Sequence, residues 1–472
     1  MTHDTTAKDV LVIYTDQWRW DALGRLGSTA RTPNLDALAA RGTLFDHAFV
    51  QSPVCMPSRA SMLTGRYPSN LGITHMGVPV PESTETLAST LSRRGWRTAN
   101  IGKLHFQPHA NRDHSLPHPH YGFDVLALSD EPGVYEDDYR AWVRATCPEA
   151  LAHLSSGLPP AADAWQQVLP ADTDVAHERR GPRDDYSHLR VFDQPEELTH
   201  SAWVGTRTIE HLRSLSPHET SLTIASFFSP HAPYHVPQRF LDLYDRDALP
   251  LPQLTDSERE HQAAIGLTDA KIREIRHGYF AAISEVDHHV GRIMAELERS
   301  GRDKSTLVVF TSDHGEWLGD HLRLSKGFPA DDAVSRVPLI IASPGHPSPR
   351  QESQIVEAVD IAPTVLAALG VPVPSTMQGR SLLPMVCEPA GSAAVASQVA
   401  ITEHLGWRSM RTPRYRYVAT RSGTEHLWDV QTNPLSEVEV EHNREALLAE
   451  HRHQLILRTL EIERALPRTW PY

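Results

Sequence analysis

Unbroken apolar runs alternate with amphipathic stretches along most of this chain. DVLVIYTD (9–16) is a continuous run rich in β-branched residues, the pattern of a strand buried on both faces of a parallel sheet. STLVVFTSD (305–313), VPLIIASPG (337–345) and LTIASFFSPH (222–231) read the same way, and RTANIGK (97–103) reads as a weaker strand. Helical stretches fall between them. TPNLDALAARG (32–42) has Thr32 as a cap, Pro33 in its first turn and Gly42 as its close. TETLASTLSRRG (84–95) repeats the plan, and DIAPTVLAALG (360–370) is a further helix. The stretch from 270 to 301 predicts one long amphipathic helix or a pair, stopped by Gly301. This order predicts an α/β fold: a large doubly wound sheet, mixed or parallel, flanked by helices.

Two regions break the pattern. From about 125 to 200 regular periods are few and Pro, Asp and Arg are frequent, which predicts loops and short helices covering a site. From about 390 the chain changes character. SQVAITEH, RSMRTPRYRYVAT and EHLWDV predict short antiparallel strands, and NREALLAEHRHQLILRTLEIERAL (443–466) predicts a closing helix. The expected division is a large α/β domain over 1–390 and a smaller α+β subdomain over 391–472.

Composition narrows the class. Of the 472 residues, 40% are hydrophobic, which fits a globular chain. The net charge of −14 argues against a nucleic-acid footprint and requires that any anionic substrate meet a local cluster of positive charge. The amino terminus lacks the basic region of a signal peptide, and no stretch reaches the ~18 apolar residues of a membrane span. Three cysteines, Cys55, Cys147 and Cys387, do not suggest a disulfide scaffold. A cytoplasmic protein without membrane contact is expected. The apolar end LPRTWPY is a candidate contact for a homo-oligomer.

The chemistry gathers at strand ends, where open α/β sheets bind ligands. The first strand ends in Asp16-Gln17, the second runs into Lys103-Leu104-His105, the third delivers His231 and the fourth Asp313-His314. Either acid alone could merely cap a following helix. Together, Asp16, Gln17, Asp313 and His314 have the makings of a divalent metal site, with oxygen ligands that suit Ca²⁺, Mg²⁺ or Mn²⁺ and one imidazole that pulls the balance toward Mn²⁺ or another transition metal. His105 lies in a stretch with His109, His114, His118 and His120, which reads as a solvated His/Pro-rich turn rather than a second metal site.

The stretch CMPSRASMLTGR (55–66) places a cysteine at the mouth of a helix. Pro57 fits the first turn and Gly65 the end. Helix amino termini attract anions, Arg59 adds a fixed cation, and a thiol there is expected to have a lowered pKa. A buried structural cysteine beside a surface arginine is the alternative reading.

These residues carry a resemblance. CMPSRASMLTGR resembles the sulfatase signature, Cys-x-Pro-Ser-Arg followed by Leu-Thr-Gly-Arg. GKLHF, SPHAPYHVP, TSDHGEWLGDH with LSKG, AVDIAPTVLAALGVPVP, MQGRSLLPM and HLWDVQTNPLSE follow in the family's order. The resemblance, to formylglycine-dependent sulfatases of the alkaline phosphatase superfamily, covers most of the chain except about 140 to 200. It implies that Cys55 is oxidised to formylglycine by a generating enzyme that reads Pro57 and Arg59. One hydroxyl of the hydrated aldehyde then attacks sulfur, and the other drives sulfate out. It further implies that Asp16, Gln17, Asp313 and His314 hold one divalent metal, Ca²⁺ or Mn²⁺, together with residue 55. Arg59 would orient residue 55, Lys103 and Lys326 would bind sulfate oxygens, His105 would act as base and His231 as acid. Asp320-His321 reads as supporting structure.

The Asp-Gln and Asp-His pairs resemble the branch containing choline sulfatases and phosphonate monoester hydrolases. The latter carry Tyr and Thr where this chain has Lys103 and His105, and Asn near Met76. The Lys/His pair favours a small anionic sulfate ester as substrate, with phosphonate monoester or phosphodiester hydrolysis as the alternative and a non-catalytic anion-binding protein as a third possibility.

Overall fold

The apolar runs line up as neighbours in one large sheet. A computed structural model describes residues 7–108, 117–154, 189–346, 349–388, 399–433 and 439–463. Its strands begin with β1 (Asp9–Thr15), β2 (Thr43–Phe49), β3 (Arg97–Gly102), β4 (Val125–Leu128), β5 (Leu189–Val191), β6 (Ser221–Ser226), β7 (Tyr234–Val236) and β8 (Thr306–Ser312). They continue with β9 (Arg336–Ala342), β10 (Arg350–Glu352), β11 (Val356–Glu357), β12 (Ala400–His404), β13 (Trp407–Arg411), β14 (Tyr415–Thr420) and β15 (Glu425–Asp429).

The main sheet runs β10-β2-β9-β8-β1-β6-β3-β4, with β11 also paired to β2. Neighbours β8, β1, β6 and β3 are mutually parallel, in a register that sets Tyr14 against Thr311 and Ile101 against Ala225. Strand β9 is antiparallel to both β8 and β2, so the sheet is mixed. Pro338, which cannot donate to a ladder, faces the register shift of β2 between Phe45 and Ala48.

Alternation along β1 divides the core. Leu11 and Ile13 join one apolar cluster with Ile275, Tyr279, Ile283 and Val290 of the Asp269–Ser300 helix. Val10, Val12 and Tyr14 join the other, with Val365 and Leu366 of the Ile361–Ala368 helix. Helices on both faces of a sheet make the doubly wound layer structure that the apolar runs predict. The smaller sheet, β12-β13-β14-β15, is antiparallel throughout. The Arg444–Ile462 helix covers it, burying Leu448, Leu455 and Ile462 against Ile401, Met410, Tyr417 and Leu427.

Several boundaries differ from expectation. The stretch 270–301 is one helix, and Gly301 closes it in the left-handed region. Helix Pro33–Ala39 ends before Gly42, and Thr32 does not cap it; the Thr32 hydroxyl accepts from Gly24 N–H and donates to Asp36. The helix expected over 84–95 is shorter, Leu87–Ser92, started by a reciprocal Thr86/Ser89 capping box. Strand β6 stops at Ser226, where its partner β3 ends, so Phe228 to His231 lie beyond the sheet. Strands β2 and β4 were not expected: β2 is interrupted by Asp46 and His47, and β4 is only Val125–Leu128. Within 125–200 the described part holds β4, β5 and the Asp138–Thr146 helix; His109, His114, residues 155–188 and LPRTWPY lie outside the described residues. Among the described residues no helix is long and apolar enough to cross a membrane.

Candidate active site

Parallel strands in one sheet deliver their ends to one edge, and this edge collects the polar strand tips. Asp16 follows β1, Lys103 follows β3, Asp313 follows β8, and the segment to His231 follows β6. Strand β2 is antiparallel to β9, as β8 is, so it ends on the same side. It leads through Val50–Val54 into the Cys55–Thr64 helix, whose ten residues are all buried. Cys55 is the first residue of that helix and Pro57 the third; Gly65 ends it at φ 63°, where a Cβ would press on Met377 at 3.1 Å.

One ligand atom each from Asp16, Cys55, Asp313 and His314 lies within 4.8 Å of the others, and all four residues are buried. Cys55 Sγ is 3.3 Å from His314 Nε2 and 3.8 Å from Asp16 Oδ1. His314 Nε2 is 3.5 Å from Asp16 Oδ1 and 3.6 Å from Asp313 Oδ1. His314 Nδ1 donates to the Gly315 carbonyl at 2.9 Å, which leaves the Nε2 lone pair facing the cluster, the tautomer a metal requires. Gln17 sits at φ 70° and donates its backbone N–H to Asp313 Oδ1 at 3.1 Å. Its side-chain Oε1 is buried without a hydrogen-bond partner. Two carboxylates, a directed imidazole and an orphaned amide oxygen fit a divalent cation.

Positive charge surrounds these acids. Arg59 donates from Nε to Asp313 Oδ2 at 2.8 Å, from Nη1 to the Lys103 carbonyl and Ser226 Oγ, and from Nη2 to Asp16 Oδ2 at 3.4 Å. Its guanidinium lies over the Tyr14 ring, 4.7 Å from the centroid. Lys103 Nζ is 2.7 Å from Asp16 Oδ2 and 4.9 Å from the Phe228 ring centroid. Gly102 precedes it at φ 102°, and a Cβ there would lie 1.8 Å from the Ser226 carbonyl oxygen. Only glycine lets β3 stay paired and still turn Lys103 inward. Lys326 Nζ reaches Cys55 Sγ at 2.8 Å, His231 Nε2 at 3.0 Å and His314 Nε2 at 3.2 Å. On a chain of net charge −14, three cations thus meet at one crevice.

Titration follows from these contacts. Burial alone would raise Asp16, but Lys103, His231, Lys326 and Arg59 together hold it well below the usual carboxylate range. Burial would lower Lys103, yet Asp16 raises it; Lys326 is raised likewise by the Cys55 sulfur and by Asp16 and Asp313. His231 is held well below its ordinary value by burial and by the Lys326 ammonium. Its Nδ1 donates to the Ala232 carbonyl at 2.5 Å, so Nε2 faces Lys326 as an acceptor. One expectation is overturned: the Cys55 thiol is raised to about 11, not lowered. Burial and the Asp16 carboxylate outweigh Lys326 and Lys103.

His105 is buried at the end of β3, at φ 54°, and Asp130 Oδ1 accepts from the N–H groups of both Leu104 and His105 at 2.8 and 2.9 Å. Asp320 pairs with Arg19 and Arg276, and His321 with Glu258, which is supporting structure as expected. Asp130 and Glu316 were not anticipated. Glu316 lies one residue past Gly315 in TSDHGE and contacts Gln17; its place in that motif was the available signal.

This fold is that of a known family. The sulfatase family model matches residues 8–371, and the model of the N-sulphoglucosamine sulphohydrolase C-terminal region matches 319–457. The chain is 28% identical over 403 residues to an arylsulfatase of Clostridium perfringens, covering 80% of this chain and 78% of that protein. It is 28% identical over 468 residues to the choline-sulfatase of Rhizobium meliloti, covering 91% and 82%. The crystal structure of a phosphonate monoester hydrolase of Agrobacterium radiobacter superposes with a TM-score of 0.77 at 25% identity, covering 96% of each chain. The chain belongs to the sulfatase family, within the alkaline phosphatase superfamily fold.

Proposed function

We propose that the protein is a sulfuric ester hydrolase that cleaves a small sulfate ester at residue 55. The observation that carries this reading is the convergence of Asp16, Asp313 and His314 on Cys55, with Arg59, Lys103 and Lys326 packed around them. Conversion of Cys55 to formylglycine by a generating enzyme supplies the nucleophilic hydroxyl of a hydrated aldehyde. Asp16, Gln17, residue 55, Asp313 and His314 would hold one divalent ion, Ca²⁺ or Mn²⁺, which when bound supplies Lewis-acid polarisation of a sulfuryl oxygen.

The chain's own residues do the rest. Lys103 and Lys326 bind the charge that develops on the sulfuryl oxygens, and burial strengthens both contacts. Arg59 holds Asp313 and Asp16 in place and offsets their charge. His231, whose Nε2 faces Lys326 at 3.0 Å, is the acid toward the departing oxygen of the ester. His105, fixed by Asp130, is the base that restores the aldehyde.

Turnover of an aryl sulfate and an aryl phosphonate by the purified, modified protein under one metal tests the assignment. The sulfate is expected to turn over faster. A phosphonate preferred by tenfold or more would instead establish a phosphonate monoester or phosphodiester hydrolase, the reading favoured by the whole-length likeness to the Agrobacterium structure. Tight binding of sulfate esters without turnover would leave an anion-binding protein.

The wider reading keeps 1–390 as the catalytic unit and 391–472 as a subdomain. It keeps a cytoplasmic location, no nucleic-acid or membrane partner, and a homo-oligomer as the candidate assembly.

A further inference from the structure

We infer that Glu316 is a positioning residue that turns the Gln17 amide oxygen toward the cation site and seats the loop carrying Lys326. The inference rests on the metal-site reading above.

Gln17 has little freedom except at its amide. Its backbone N–H is held by Asp313 Oδ1 at 3.1 Å, and its carbonyl accepts from the Tyr279 hydroxyl at 2.8 Å. The amide can present either oxygen or nitrogen to the cluster, and only oxygen binds a cation. Glu316 decides between them. Its carboxylate is 2% exposed, and Oε2 accepts from Gln17 Nε2. Glu316 Oε1 already takes the N–H groups of Ser325 and Leu318, and Oε2 takes the Gln17 NH₂, so Gln17 Oε1 points away. Oε1 is the buried atom without a hydrogen-bond partner.

The other carboxylate oxygen has a second task. Glu316 Oε1 accepts from the backbone N–H of Ser325, and from that of Leu318 at 3.2 Å. Ser325 stands at φ 68° and immediately precedes Lys326, whose Nζ touches Cys55, His231 and His314. One buried side chain therefore ties a metal ligand to the loop that carries a sulfate-binding cation. An aspartate at position 17 would place two carboxylates face to face, so a glutamate at 316 calls for an amide at 17.

Mn²⁺ titration by calorimetry, with the Mn²⁺ electron paramagnetic resonance spectrum alongside, tests this on the whole chain. In Glu316→Gln the new carbonyl keeps the two backbone donors, and its NH₂ meets the Gln17 NH₂. Gln17 must then rotate its oxygen off the cation, and Mn²⁺ affinity is expected to fall about 10- to 100-fold. Adding Gln17→Glu to Glu316→Gln restores a donor–acceptor match: one carboxylate oxygen accepts from the amide and the other reaches the cation. That double variant is expected to bind Mn²⁺ within about threefold of the unmutated chain, with its spectrum restored. Unchanged affinity in Glu316→Gln, or a double variant no tighter than the single, overturns the inference. Should the single variant not fold, the double variant decides alone, and a folded double variant that binds no Mn²⁺ overturns the inference. If the unmutated chain binds neither Mn²⁺ nor Ca²⁺, the metal-site reading itself fails, and the role of Glu316 with it.

Discussion

Arg59 Nε donates to Asp313 Oδ2 at 2.8 Å, and neither side chain is more than 1% exposed. The guanidinium uses its other nitrogens on the Lys103 carbonyl, Ser226 and Asp16. Lysine offers a point charge and cannot reproduce this fork. Arg59→Lys is expected to lower kcat/KM by about 100-fold or more, and Arg59→Ala to cost about 3–5 kcal/mol of stability, because two carboxylates lose their buried partner. Because the proposed modification of Cys55 would read Arg59 as well, kinetics and urea unfolding are to be paired with mass spectrometry of the Cys55 peptide. A variant fully modified and fully active would contradict the electrostatic role.

Residue 55 is the proposed nucleophile. Co-expression with a formylglycine-generating enzyme is expected to yield a Cys55 peptide in which a carbonyl oxygen has replaced sulfur. Cys55→Ala should reduce kcat by about 10⁴- to 10⁶-fold, the scale on which loss of a nucleophile is felt. Persistence of the thiol together with full turnover would remove the nucleophile assignment.

Asp137 caps the Asp138–Thr146 helix by accepting from Arg140 N–H, and burial raises its carboxyl to about 8. The unfolded chain releases this proton near pH 4, while the folded chain holds it until about pH 8. Unfolding therefore releases a proton between these limits. The stability linked to this group is complete below pH 4 and is lost progressively as pH rises to about 8, by at most about 1.4 kcal/mol per pH unit crossed. Asp137→Asn keeps the cap and lacks the proton. Its stability relative to the original chain should rise steadily from pH 4 to 8 in paired denaturant titrations. Parallel stability curves would show that Asp137 titrates normally.

The small sheet holds the Lys326 loop from outside. Arg411 of β13 pairs with both oxygens of Asp332 at 2.9 and 3.0 Å, and Arg416 of β14 pairs with Asp331. These contacts pull Asp332 well below the usual carboxylate range, although burial acts the other way. Arg411→Met leaves a partly buried carboxylate, 18% exposed, without its main partner and is expected to cost about 1–3 kcal/mol. It should also lower turnover several-fold while leaving Mn²⁺ affinity unchanged, because no metal ligand is touched. An equal loss of metal binding would place Arg411 in the metal site's own support.

The polar strand tips were legible in the sequence because an apolar run marks a buried strand and the polar residue after it marks the edge where ligands bind. Asp16 and Asp313 follow that rule directly, and Lys103 follows it through the turn at Gly102. His231 was expected at the tip of a strand over 222–231, but it lies five residues past the end of β6, because the apolar run LTIASFF continues beyond the last paired residue, Ser226. Strand β2 escaped notice because Asp46 and His47 interrupt its apolar pattern at the register shift. The thiol's titration was misjudged for a related reason: the helix mouth and Arg59 are visible in sequence, whereas the burial of Asp16 against Cys55 joins residues 39 positions apart. The link from Glu316 to Gln17 spans 299 positions, and nothing in either local pattern announces it.

Strand β9 is antiparallel to its neighbour β8, so the chain leaving β8 at Asp313 and the chain entering β9 at Arg336 stand at the same rim of the sheet. Everything from Asp313 through Lys326 to Arg336 is therefore a single excursion pinned at both ends by ladder hydrogen bonds. Between Lys326 and Arg336 such a segment can lengthen or change composition at small entropic cost, without displacing Asp313, His314 or Glu316 at its start.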